Sequence, residues 1–549
     1  MNKIKLLFSA VGLVAASNAL ADVYQGQRER WLEMAENCKP ELVETIVRPK
    51  GVVAPVADNS AYQNWRFDFL GNPDSLLYNQ NFKDIKEITL DFGDHYTGYF
   101  TFSTKTLSRC QDAPVRICIF LGENPAELNT PLEPWPGTLS RAWMQDETVT
   151  ITQVDQEITI PRRMAFRYAK IRLLGASPDF DFAINDVYAK AYTSAANNGE
   201  SLLPDCPDRI RRIHDVGLAT LRECMQTVYE DGPKRDRRLW AGDLYLESLA
   251  NSHSFKNFNL TKRCLYLFAA LADDDGRVLS NIFETPQPHP QYFSHCLTYS
   301  LLWNSTLLEY LKDTGDEKTA ADLWPVAKKQ IEEALEYVDN RGIFNRSLKD
   351  SYMWMFFDWR EGLDMEVPMQ GAVICALNQT YELACMLGRE QEIKEWPAFS
   401  KKMQNAAKKF LFNKNSGVFL SGPEKQLSVL SQAWMIKAGV ISEKQAQKAL
   451  KISLDREDSY KPGTPYATHY LVESMILCGM HNEARSYLLE YWGGMVDKGA
   501  DTFWEAYDPA DDFISPYKFA PLNSSCHAWS CTPVYFIHKY PHIFQKAEE

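Results

Sequence analysis

The sequence predicts a multidomain β + α protein, an antiparallel β-sandwich followed by an all-helical region, and three observations carry that prediction. From about Lys86 to Thr193 apolar residues alternate, as in Tyr99-Phe100-Thr101-Phe102, Val115-Arg116-Ile117-Cys118-Ile119-Phe120 and Val149-Thr150-Ile151-Thr152. Period two between Gly, Pro, Asn and Asp punctuation is the mark of short half-buried strands. A small polar linker, Ser194-Ala195-Ala196-Asn197-Asn198-Gly199, closes that region, and beyond it Ile210, Ile213, Leu221, Cys224 and Val228 recur at near-helical spacing.

The elements follow in chain order. Met1 to Ala21 reads as a secretory signal: Lys3 and Lys5 form the positive end, Leu6 to Ala16 the apolar run, and Ala19-Leu20-Ala21 the cleavage site. Residues 22–195 are expected to form the sandwich, with Phe166 to Leu174 and Phe180 to Tyr192 as further strands. Residues 200–549 are expected to be helical, with runs at Cys264 to Leu271, Leu297 to Leu311, Ala372 to Leu387, Glu443 to Ile452 and Ala467 to Cys478. Roughly a dozen helices fit that length, and the absence of a strict short repeat disfavours a regular solenoid.

Composition narrows the function. Without Lys3 and Lys5 the chain carries 57 basic and 72 acidic residues, a balance that argues against nucleic acid as a partner. After Ala21 no stretch reaches the length of a membrane span, so a periplasmic or secreted protein is expected. Twelve cysteines permit disulfides in that compartment; Cys110 with Cys118 and Cys526 with Cys531 are the pairs to test. With no C-x-x-C, a structural zinc site has little support, and no metal or cofactor is expected. The sequence does not indicate the oligomeric state.

Several connections are rich in Trp, Tyr, Asp and Glu, notably Glu230 to Asp243, Trp354 to Asp364, Thr464 to His469 and Asp501 to Asp508. Aromatics beside carboxylates suit a sugar, whose ring has apolar faces and whose hydroxyls need polar partners; the same aromatics also suit a core. Tyr466 and His469 read as pocket wall or as packing. The densest segment is Asp231-Gly232-Pro233-Lys234-Arg235-Asp236-Arg237-Arg238-Leu239-Trp240-Ala241-Gly242-Asp243. Gly232-Pro233 breaks the helical pattern, so it reads as a loop entering a helix around Leu244 to Leu249.

That string resembles the catalytic loop of the α-L-rhamnosidases of glycoside hydrolase family 78, which runs roughly D-x-P-x-R-(E/D)-x-L-G-W-x-x-D. The resemblance implies an (α/α)6 barrel with Asp236 as general acid, Asp231 and Asp243 on rhamnose hydroxyls, Trp240 stacking on the sugar and Arg235 beside them. Thr502-Phe503-Trp504-Glu505 looks like the family's late tryptophan-glutamate element, with Glu505 as the base. Asn523 to Trp529 is similar to its asparagine-histidine segment, which places His527 near the sugar, and Phe357-Asp358-Trp359 looks like its mid-barrel element. Asp358, Trp359 and Trp504 are thereby candidate substrate contacts. Two departures stand out: family members often carry Glu where Asp236 stands, and Leu-Gly-Trp is Arg238-Leu239-Trp240 here. The expected activity is inverting release of terminal α-L-rhamnose from an oligosaccharide or glycoside. Alternatives are another sugar on the same barrel, a uronate or sulfate beside the scissile bond met by Lys234, Arg235, Arg237 and Arg238, an inactive glycan-binding relative, or a lyase.

Overall fold

The alternation read between Lys86 and Thr193 is realised as antiparallel strands in the computed structural model, which describes residues 22–291 and 294–546. The expected signal segment lies outside the described residues. The strands are β1 (Val43–Val47), β2 (Gly51–Ala57), β3 (Trp65–Gly71), β4 (Glu87–Ser108), β5 (Val115–Gly122), β6 (Gln145–Ile151), β7 (Glu157–Thr159), β8 (Met164–Gly175) and β9 (Asp181–Thr193). They pair in the order β1-β9-β4-β8-β5-β6, with β2 joining β3 to β4 and β7 added at β4. β4 is 22 residues long and shifts register against β8 between Asp91 and Tyr96, an irregularity of the kind that bends a strand. Its inward side chains, among them Leu90, Phe92, Phe100 and Phe102, are fully buried with Phe166 and Ile171. β1 to β3 precede the stretch where alternation is legible: β2 reads Gly-Val-Val-Ala-Pro-Val-Ala, an unbroken small apolar run with a proline that obscures the strand signal.

A helix before the first strand, α1 (Arg28–Asn37), has no counterpart in the sequence-based expectation. Trp31 and Ala35 are fully buried in the core of the helical region, and Arg28 donates to the carbonyls of Ala270 and Asp273. The first residues of the expected sandwich segment therefore pack on the other domain.

Beyond the linker, twelve helices among the described residues form hairpins: α2 (Asp208–Cys224), α3 (Ala241–Ser252), α4 (Phe258–Ala270), α5 (Leu297–Thr314), α6 (Glu317–Leu335), α7 (Glu366–Met386), α8 (Trp396–Phe410), α9 (Val429–Lys437), α10 (Glu443–Asp455), α11 (Pro465–Leu477), α12 (His481–Asp497) and α13 (Pro533–Lys539). Helices α3, α5, α7, α9 and α11 pack side by side in turn, α13 returns to α3, and the remaining helices surround them. This is the six-hairpin (α/α)6 barrel. The inner helices are apolar all round, as a helix enclosed on every side must be: α3 is buried from Ala241 to Asn251 and α11 from Pro465 to Ile476. Outer helices such as α8 show one buried stripe, Trp396, Ser400, Met403, Ala406 and Ala407. Among the described residues no helix is long and apolar enough to cross a membrane.

The sandwich is fastened to the barrel beneath the carboxylate-rich loops. Lys234, with no exposure, lies 3.0 Å from Glu127 and 3.4 Å from Glu123; Glu123 also accepts from Ser525 N at 2.6 Å and pairs with His95 at 3.0 Å. Arg167 joins Asp91 to Asp501, and Trp504 stacks on Tyr62 at 4.1 Å. The cysteines are unbridged: neither Cys110 and Cys118 nor Cys526 and Cys531 are joined, and the sulfur nearest Cys526 is that of Cys224, at 3.8 Å. Most are buried, as small hydrophobes are.

Candidate active site

The loop from Asp231 to Trp240 folds back on itself. Asp231 N donates to Arg238 O, and the Asp231 carboxylate accepts from the backbone of Asp236 at 3.3 Å and Arg238 at 3.1 Å, so a buried aspartate serves as the loop's internal template. Gly232 is required where it stands, since a Cβ would come within 2.5 Å of Arg235 O and 2.9 Å of Ser524 Oγ. The loop ends in a short strand, β10 (Leu239–Trp240), paired with β11 (Asn281–Phe283), which in turn pairs with β12 (His289–Pro290). The chain then enters α3 at Ala241, so Asp243 sits in the first turn of that helix rather than in the loop.

A second loop, from Thr502 to Trp529, is laced to the first. Glu505 N donates to Ser524 O at 3.0 Å and Trp529 Nε1 to Glu505 O at 3.0 Å, while Ala528 N donates to Asp231 O at 2.8 Å. Arg235 holds both loops. Its Nη1 is 3.3 Å from Asp236 Oδ1 and its Nη2 2.5 Å from Glu505 Oε2, with its guanidinium 4.2 Å above the Tyr517 ring. Two carboxylates on one rigid guanidinium fork stand no more than about 8 Å apart.

The electrostatics divide these groups. Burial raises the pKa of Glu505, but Arg235, His527, the Tyr517 hydroxyl and Ser524 N outweigh it and hold the carboxyl at about 2. Asp231 and Asp243 go the other way: burial, together with neighbouring carboxylates, lifts both well above the usual carboxylate range. Burial lowers His527 to about 4. The site thus holds one firmly ionised glutamate beside two aspartates whose charged forms burial disfavours.

These side chains line a pocket of about 50 Å³. Asp231, Arg235, Asp236, Trp240, Asp243, Trp359, Glu505 and His527, all candidates from the sequence, line it together. Two other candidates lie elsewhere. Asp358 is buried behind the wall, where its carboxylate accepts from Gly463 N, Thr464 Oγ1 and Trp359 N at 2.7, 2.7 and 2.9 Å; it braces the loop that presents Trp359. Trp504 faces the sandwich, stacked on Tyr62. Tyr466 is fully buried among Phe356, Tyr470 and Trp529, and His469 packs on Phe536. Five wall residues were not singled out from the sequence: Tyr299, Trp354, Phe356, Tyr517 and Trp529. Trp354 and Phe356 lay in a segment already marked as aromatic and Trp529 at the end of the family-like Asn523 to Trp529 string, whereas nothing local distinguishes Tyr299 on α5 or Tyr517 in its loop. Trp240, Tyr299 and Trp354 meet edge to face or tilted at 5.9 to 6.3 Å.

Three buried polar atoms of this wall, Trp240 Nε1, Asp243 Oδ1 and His527 Nδ1, have no hydrogen-bond partner among the described residues. Unsatisfied buried polar groups are costly, and two of these, Asp243 Oδ1 and His527 Nδ1, lie 3.8 Å apart. A six-hairpin barrel whose pocket pairs an aspartate and a glutamate across an arginine, walled by aromatics, defines a glycoside hydrolase.

Sequence comparison specifies which. Residues 49–191 match the glycosyl hydrolase family 78 alpha-rhamnosidase N-terminal domain and residues 208–540 the bacterial alpha-L-rhamnosidase 6 hairpin glycosidase domain. The chain belongs to glycoside hydrolase family 78. Among solved structures, a rhamnosidase from Klebsiella oxytoca with rhamnose bound is 34% identical with a TM-score of 0.89, covering 93% of this chain and 99% of that one. The family 78 rhamnosidase of Bacillus sp. GL1 is 22% identical (TM-score 0.69, 82% of this chain, 46% of that one), and the Streptomyces avermitilis alpha-L-rhamnosidase complexed with L-rhamnose is 14% identical (TM-score 0.64, 91% and 44%); these two share the fold. No curated protein sequence matches the chain.

Proposed function

We propose that this glycoside hydrolase is an exported, exo-acting α-L-rhamnosidase that releases terminal rhamnose with inversion. The observation that carries the reading is the pocket itself, where Asp236 and Glu505 share one lining with Asp231, Asp243, His527 and an aromatic wall. The rhamnose bound to the Klebsiella oxytoca relative supports the choice of sugar. Trp240 offers an apolar face to the ring, and Asp231 and Asp243 offer carboxyl oxygens to its hydroxyls. Asp236 protonates the leaving oxygen. Glu505, ionised throughout the working range, takes a proton from the attacking water. An upper limit of about 8 Å between the two carboxylates is compatible with the roughly 6.5 to 9.5 Å that inversion needs to admit that water. The basic, apolar and small-residue pattern of Met1 to Ala21 supports export.

The test is product analysis with two variants. Rhamnose should appear first as the β anomer by NMR. Asp236→Asn should lose kcat/KM by about 10² or more on a rhamnosyl disaccharide and far less on an activated aryl rhamnoside, because the aryl group departs with little protonation. Glu505→Gln should damage both. Equal losses for Asp236→Asn on the two substrates, or α-rhamnose as first product, would overturn these assignments.

A further inference from the structure

Asp236 has two faces. One borders the sugar pocket and the other a cleft of about 710 Å³ between sandwich and barrel. A general acid stands between the sugar that is cleaved and the group that leaves, because it protonates the oxygen joining them. If Asp236 is that acid, as the rhamnosidase reading on which this inference rests has it, the cleft is where the leaving group lies. Its walls suit a sugar: Tyr99, Trp143 and Tyr192 come from the sandwich and Phe283 from the β10–β12 ribbon.

The charges of the cleft are unevenly satisfied. Glu230 is held by Arg163 at 2.6 Å and Glu284 by Arg263 at 3.0 Å. Arg238 lies 4.3 Å over Phe283, with Nη1 3.6 Å from Asp236. Arg238 Nε has no hydrogen-bond partner among the described residues, but Arg237 lacks a carboxylate partner as well. The backbone places it in the left-handed region at φ 63°, its Nε donates to Pro233 O at 2.9 Å, and its buried Nη2 has no partner among the described residues. Burial, reinforced by nearby Arg163, pulls its pKa down to about 10, the mark of a cation short of counter-charge. A guanidinium in that state matches a carboxylate or sulfate, which accepts two parallel hydrogen bonds from the planar fork.

We propose that the cleft between sandwich and barrel is the leaving-group subsite and that it takes an anionic sugar, whose carboxylate or sulfate pairs with Arg237. The sandwich then contributes directly to substrate choice, through Tyr99, Trp143 and Tyr192.

The experiment compares the full-length mature enzyme on four substrates: an aryl rhamnoside, rhamnosyl-glucose, rhamnosyl-glucuronate and rhamnosyl-glucose 6-sulfate. An anionic residue in the cleft should raise kcat/KM at least about tenfold over rhamnosyl-glucose; a gain with both anions identifies charge as the determinant, and a gain with the uronate alone identifies carboxylate geometry. Arg237→Gln should bring the ratio to within about twofold of unity, and Arg237→Lys should keep part of it. Should Arg237→Gln fail to fold, inhibition of the wild-type enzyme provides the measurement: free glucuronate should inhibit more strongly than free glucose. A wild-type ratio near one, an unchanged ratio in Arg237→Gln, or equal inhibition by the two monosaccharides overturns the anionic subsite while leaving the rhamnosidase reading intact. No release from any rhamnoside, the aryl one included, overturns both.

Discussion

Lys234→Met would test whether the sandwich holds the catalytic loop in place. The ammonium is fully buried, 3.0 Å from Glu127 and 3.4 Å from Glu123, and it donates to Asn523 O at 2.6 Å and Pro521 O at 3.1 Å. Methionine keeps most of the volume but leaves two carbonyls without a donor and Glu127 with only the Asn124 amide and Glu123 N, each at 3.3 Å. Removing one partner of a buried ion pair costs about 3 to 5 kcal/mol. The size of the loss should depend on pH. Burial already raises Glu127 to about 7 despite Lys234 beside it, so without the lysine it rises further. A carboxyl whose folded pKa exceeds its unfolded value leaves the folded state holding more protons, and stability then falls as pH rises through that window. For the wild type the window runs from the ordinary glutamate value of 4.5 to about 7, and the variant extends it upward. The penalty should therefore be larger at pH 8 than at pH 5, by up to about 1.4 kcal/mol for each pH unit of additional shift. Urea unfolding followed by tryptophan fluorescence at the two pH values measures it. A loss below about 1 kcal/mol at both, or one that is the same at both, would refute the reasoning.

Three further outcomes are expected. Tyr517→Phe removes a hydroxyl that helps keep Glu505 ionised; a hydrogen bond to a charged group is worth about 1.5 to 3 kcal/mol, so the acid limb of kcat/KM should move up by about one to two pH units, and an unmoved limb would count against that bond. Asp358→Ala orphans three donors at about 1 to 3 kcal/mol each, and should raise KM through a loosened Trp359; unchanged stability in urea would contradict its bracing role. Burial raises Asp358 to about 6, so its carboxyl lowers stability as pH rises from the ordinary aspartate value of 3.8 to about 6; Asp358→Asn should flatten that part of the stability profile.

How far the chain could be read in advance depended on how local each signal is. The loop from Asp231 to Asp243 was legible because its carboxylates, basic residues and tryptophan lie within one short segment, and Trp504-Glu505 and Asn523 to Trp529 because each is a contiguous string. Strands β4 to β9 were legible because one face is wet and the other dry; α1 and β1 to β3 were not, the helix being short and β2 an unalternating run with a proline. By itself, then, the sequence determined the order of the two domains, the helical count and which segments carry the carboxylates, all properties of residues close together in the chain. Which of those side chains face the pocket was decided by tertiary structure alone. Asp358 and Trp504 sit beside residues that do line it, yet one turns back to cap Gly463 and Thr464 and the other turns outward onto Tyr62. Arg235 meets Glu505 only once the barrel closes, and Lys234 meets Glu123 and Glu127 only once the barrel packs against the sandwich. Such pairings join residues more than a hundred positions apart, and the burial that sets their charge states exists only in the folded chain.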